Sequence, residues 1–227
     1  KSYRSRLMPT TILNPTSDGH VGARTGNWTT LLTATGGKNI NFTSTAGTGV
    51  LESNTTFSVG AARSANGATH NHRHSFLVFD TSGISSVGSA KLKIYVDEVG
   101  ESNHEIIVVA GTYTGSPSVN YFNSFVRLDP YTNGSVAMTP GQYNDIEFNI
   151  AGIGAISALS TLKLMIIDYE YVYEEVQPIA GTTAITNFRY SEDTDNPPEL
   201  VIEEIPGPGP IKLTSGLVQI TEGLISI

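Results

Sequence analysis

In Lys91-Leu92-Lys93-Ile94-Tyr95-Val96, apolar and polar side chains alternate strictly, so Leu92, Ile94 and Val96 share one face and Lys91, Lys93 and Tyr95 the other. A strand that is dry on one side and wet on the other belongs to an antiparallel sheet; parallel sheets bury both faces. Outward from this stretch, strand-like runs bounded by Gly, Pro, Asn or Ser recur. They include Phe76-Leu77-Val78-Phe79, Glu105-Ile106-Ile107-Val108-Val109, Asp145 to Ile150, Leu162 to Ile167 and Leu200-Val201-Ile202. The pattern predicts one helix, a short crossover from Ile153 to Leu159 that begins between Gly152 and Gly154. The expected fold is all-β: an antiparallel, jelly-roll-like β-sandwich.

Composition agrees. The 227 residues include 23 Gly, only 15% are charged and 39% are hydrophobic, which is too apolar for a disordered polymer and suits short strands with many turns. A net charge of −8 with scattered Lys and Arg repels a phosphate backbone, so nucleic acid is not an expected partner. With no Cys there is no disulfide, thiolate nucleophile or Cys-ligated zinc. No window approaches the roughly 18 apolar residues of a membrane span, and the start at Lys1 without Met leaves room for a removed leader.

Residues 1–9 read as an N-terminal arm and 10–204 as the sandwich. Residues 205–210 form a linker around Pro206-Gly207-Pro208-Gly209-Pro210, whose prolines cannot continue a sheet interior. Residues 211–227 repeat an apolar-x-apolar-Thr-x-Gly unit at a seven-residue spacing. So short a ribbon needs another surface to bury Ile211, Leu213, Leu217, Ile220, Leu224 and Ile227, and a partner chain, self or particle shell, is the expected one.

Three segments, in order, resemble the extracellular β-sandwich modules called DNRLRE domains, which are akin to some carbohydrate-binding modules. They are Thr11 to Val21, then Ser75 to Ile84 with Ser89 to Val96, and finally Ser191-Glu192 through Asn196-Pro197-Pro198-Glu199-Leu200-Val201-Ile202-Glu203. The stretch from Thr25 to Thr69 and the tail after Pro206 depart from that pattern. The resemblance implies an outer-surface role in binding rather than catalysis.

Several clusters invite chemistry. His70-Asn71-His72-Arg73-His74 places three imidazoles on one face of an extended strand at about 7 Å intervals. The row reads as an exposed polar edge, as a divalent-metal site if the chain curls, or as a pH-responsive patch. Asp168 to Glu175, read as a strand, lines up Tyr169, Tyr171 and Tyr173 as a stacking row for a glycan or a protein, joined by Trp28, Tyr121 and Tyr131. Asp18, Asp80, Glu192, Asp193 and Asp195 are candidate loop ligands for calcium. Sequons at Asn27, Asn41, Asn54 and Asn133 are about what chance supplies in so Asn- and Thr-rich a chain. No nucleophile elbow, phosphate loop or HExxH helix occurs. The expectation is a non-catalytic, homo-oligomeric structural or decoration protein, extracellular or on a bacteriophage virion. A carbohydrate-binding module of a secreted enzyme or adhesin, and a filament subunit, are the alternatives.

Overall fold

The computed structural model describes residues 8–33, 41–46, 56–101, 104–114 and 121–205, with the backbone alone for 41–46 and 56. The strands are β1 (Thr10–Leu13), β2 (Ser17–Thr25), β3 (Asn41–Ala46), β4 (Thr56–Arg63), β5 (His70–Asp80), β6 (Val87–Val99) and β7 (Glu105–Gly111). They continue with β8 (Phe125–Pro130), β9 (Val136–Ala137), β10 (Gln142–Glu147), β11 (Thr161–Asp168), β12 (Thr183–Arg189) and β13 (Glu199–Glu204). Two helices, α1 (Trp28–Thr33) and α2 (Ile150–Ala158), and one π-helical turn (Tyr169–Tyr173) complete the described residues. The fold is all-β and antiparallel throughout.

The strands run β1-β13-β6-β12-β4-β5-β11-β7-β8, with β10 added to β6, β2 to β5, β3 to β2 and β9 to β7. All thirteen belong to one hydrogen-bonded sheet that folds over itself, so the layers of the sandwich are joined rather than separate. Partner changes along the two longest strands permit this. On one side β6 pairs β13 over Val87–Lys93 and β12 over Val96–Val99, while β5 pairs β4 over His70–Arg73 and β11 over Ser75–Asp80. The β4–β12 pair carries the sheet from one layer to the other.

Between the layers, Leu77 and Phe79 of β5, Leu164 and Ile166 of β11 and Val108 of β7 pack with Leu92 and Ile94 of β6, Phe188 of β12 and Leu200 of β13. A second apolar cluster lies on the far side of β5, β7 and β11, where Phe76, Ile107, Val109, Met165 and Ile167 are covered by Leu31, Tyr113, Tyr121, Phe122 and Val172. That second cover explains the unbroken apolar runs: strands buried on both faces need no alternation. Strand β6 does alternate, with Leu92, Ile94 and Val96 inside and Lys91 and Lys93 outside, paired with Asp145 and Glu199.

Helix α2 starts three residues before its expected position because Asn149 caps it. The Asn149 Oδ1 accepts from Gly152 N at 3.0 Å, and its Nδ2 donates to Pro130 O and Thr132 O. Gly60 sits where β4, still paired with β12, begins to pair with β5, with φ of +139°, and a Cβ there would lie 2.0 Å from Ala184 O. Neither backbone angle nor space admits another residue. Gly60→Ala is expected to lower stability by about 2 kcal/mol or more, read as a drop in the urea unfolding midpoint.

Candidate functional site

Strand β5 is central, with β2 on one side and β4 and β11 on the other. His70, His72 and His74 share its face with Phe76 and are 2%, 1% and 0% exposed, so the row is not an exposed edge. Helix α1, unseen in the sequence, lays Trp28 against His70 and His72 at ring distances of 5.4 and 4.6 Å. His74 stacks on Phe122 at 4.5 Å and meets Phe125 edge-on at 5.4 Å. The local signal for α1 was Asn27, whose Oδ1 accepts from Thr30 N at 3.1 Å and caps the turn.

The rings stay in file along a straight strand, His72 and His74 being 6.1 Å apart, and do not converge. Among the described residues no three His, Cys, Asp or Glu side chains come together as a metal would require. Burial instead keeps the imidazoles neutral. It drives His74 down to about 3 and, with Arg73 adding to the effect, His20 on β2 down to about 4. His72 is held well below its ordinary value by burial and then by His74 and His70, and His70 is lowered by burial and then by Arg63. His70 Nδ1 and His72 Nε2 have no hydrogen-bond partner.

The tyrosines separate. Tyr121 and Tyr131 are buried, Tyr121 stacking on Tyr113 at 4.4 Å, and Trp28 is spent on the imidazoles. Strand β11 stops at Asp168, whose Oδ1 accepts from Tyr171 N at 2.6 Å and turns the chain into the π-helical turn. The expected row of three is therefore a stacked pair, Tyr169 on Tyr173 at 5.5 Å, with Val172 inward and Tyr171 among Glu170 and Glu101.

Of the carboxylates expected to hold calcium, Asp18, Asp80 and Asp193 are engaged by the fold, and Glu192 is exposed. Asp193 Oδ1 accepts from Asp195 N and Asn196 N at 2.9 Å, and its Oδ2 pairs with Arg189. Asp80 accepts from Ser82 N, and Asp195 is exposed. Asp18 is wholly buried, its Oδ2 accepting from Ser191 N at 2.7 Å and its Oδ1 without a partner. Burial lifts its carboxyl to about 7, against the pull of the Ser191 N–H and with help from the Glu192 charge.

A chain of groups absent from the sequence reading joins β11 and β12 to the residue just before β7. His104 Nε2 lies 2.8 Å from Asp168 Oδ2, and His104 Nδ1 lies 2.5 Å from Thr186 Oγ1. Hydroxyl, imidazole and carboxylate stand in the order nucleophilic catalysis uses. Thr186 is, however, fully buried, and the cavity of about 100 Å³ beside His104 is lined by Glu101, Glu105 and Glu170, which would repel a developing oxyanion. Residues so far apart in sequence gave no local signal.

Both chain ends leave from one corner. Glu204 N donates to Pro9 O at 2.9 Å, and Met8, Ile12 and Ile205 are 48%, 56% and 54% exposed there. The residues expected to mediate assembly, Ile211, Leu213, Leu217, Ile220, Leu224 and Ile227, with the Pro-Gly linker, lie outside the described residues. No protein-family model matches the chain, and no curated protein matches it.

An imidazole kept neutral inside, while its unfolded counterpart protonates near 6.5, makes the unfolded chain bind more protons as pH falls. The imidazole contribution is complete above about 6.5 and is lost toward the folded values of about 4 and about 3; the Asp18 carboxyl, lifted to about 7, works in the opposite sense over part of that range and is outweighed by the several histidines. The urea midpoint should therefore fall between about pH 7 and pH 5, and His74→Phe should flatten that fall. An unchanged slope in the variant would remove His74 from the account.

Proposed function

We propose that this chain is a non-catalytic structural module displayed on the outside of a particle, a virion being the concrete case, and attached through its C-terminal segment. The observation that carries the reading is the corner where Pro9 and Glu204 pair. The two ends of the sandwich emerge side by side, among exposed Met8, Ile12 and Ile205, and the chain continues from there into the Pro-Gly linker and its apolar repeat. An apolar corner at the point where the chain runs on into its linker suits attachment at that end and display at the other.

Two further observations favour a structural role. The imidazoles, most of the ring side chains and the His104–Asp168–Thr186 chain are inside, where they hold strands together. The carboxylates of Asp80 and Asp193 are engaged by turn backbone.

Light scattering after size exclusion, on the full chain beside a version ending at Ile205, tests the reading. The expected result is a multimer for the full chain and a folded monomer for the shorter one. Two monomers would overturn self-assembly through residues 206–227.

A further inference from the structure

Strand β1 ends the sheet order. It pairs with β13 alone, and the register fixes which of its backbone groups that pairing uses. Glu204 N donates to Pro9 O, so Pro9–Glu204 is a hydrogen-bonded pair, and with it Thr11–Ile202 and Leu13–Leu200. Thr10 and Ile12 stand in the alternate pairs, with Glu203 and Val201, and so turn their N–H and C=O groups away from β13 toward the open edge. Both residues are exposed, and among the described residues no backbone partner meets those groups.

An open edge is normally blunted by charge. Edge strands β8 and β10 are, with Arg127 and Asp129 in the first and Asp145 and Glu147 in the second. Thr10-Thr11-Ile12-Leu13 carries no charge; Leu13 packs against the core and Ile12 points the other way, into solvent. At the same corner Met8 and Ile205 close over Gly88, where a Cβ would stand 3.7 Å from Met8 Sδ and 3.3 Å from Ile205 Cγ1. An uncharged edge beside exposed apolar side chains is a template for one more strand. Pro9 and Pro15 limit that template to a few residues. The units Ile211-Lys212-Leu213, Val218-Gln219-Ile220 and Ile225-Ser226-Ile227 are of matching length, and they follow the linker that begins at this corner.

We infer that the outer edge of β1 receives one of these apolar-x-apolar units from a second copy of the chain, as an added antiparallel strand. The inference rests on the assembly role proposed above for the C-terminal segment and names its docking site. Thr10 and Ile12 each give one N–H and one C=O to the incoming backbone, and Ile12 gains an apolar cross-strand neighbour. A second copy is the fitting donor because of strand direction. β13 runs opposite to β1, so a repeat turning straight back at Ile205 would lie parallel to β1, whereas every described pair is antiparallel. Antiparallel pairing within one chain needs a second reversal, and the linker prolines favour an extended path that carries the repeat to a neighbour.

The test compares the full chain with its Ile12→Pro and Ile12→Lys variants by light scattering after size exclusion. Proline removes an N–H that β13 does not use, and lysine sets a charge on the edge, so both variants should unfold close to the wild-type urea midpoint. Both should run as monomers where the wild-type chain is a multimer, and Ile12→Lys decides the matter if Ile12→Pro fails to fold. In residue-resolved amide exchange, Thr10 and Ile12 of the wild-type multimer should exchange about tenfold more slowly, or slower still, than Thr10 and Lys at position 12 in the lysine variant. Thr11 and Leu13, bonded to β13, should be protected in both. A multimer that persists in the folded variants, or one whose Thr10 and Ile12 amides exchange freely, would overturn the docking site and leave the assembly role of the C-terminal segment standing. A monomeric wild-type chain would overturn both, and protected Thr10 and Ile12 amides in that monomer would assign the edge to the chain's own repeat.

Discussion

Strand β5 is enclosed from four directions, and the rest of the molecule is arranged around that enclosure. Its edges are hydrogen-bonded to β2 on one side and to β4 and β11 on the other, while its faces meet the central core and the second apolar cluster. A strand in that position has little room for unpaired charge or unmatched volume, yet its first half is written in histidine. Neutral imidazole resolves the conflict. It is flat enough to meet Trp28 edge-on and to stack against Phe122, and it is uncharged at neutral pH because burial holds it so. Its cost is polar: ring nitrogens such as His72 Nε2 lie inside without a partner.

The alternation of Lys91 to Val96 gave the fold class because a half-buried strand must alternate, and β6 does so against solvent. The runs in β5, β7 and β11 carried a further message, that both faces are covered, but what covered them lay elsewhere in the chain. Helix α1 has six residues and no apolar period, so only the Asn27 cap marked it. In Tyr169 to Tyr173 a period of two was present in the letters and absent from the backbone. One carboxylate, Asp168, offered the Tyr171 N–H a closer acceptor than a neighbouring strand would have, and the chain turned.

Sites divided in the same way. Histidines adjacent in sequence were visible as a row, whereas their burial was decided by distant residues. The His104–Asp168–Thr186 chain is a product of strand order, joining the residue before β7 to positions in β11 and β12 that no spacing rule connects. What the sequence did contain was scarcity: five histidines in 227 residues, so that three at alternate positions carry information.

The shared exit of the two ends at the β1–β13 corner also sets how the sandwich bears mechanical load. Pulled by both ends at once, β1 would peel from β13 like a zipper, its rungs breaking one after another from Thr10–Glu203 inward. Pulled through the C-terminal end alone, with drag on the far side of the body, the force enters along β13, which is flanked by β1 and β6. The rungs on both sides must then shear together. A module tethered at a single terminus is thus held by the stronger of its two failure geometries, and one strung between neighbours by the weaker.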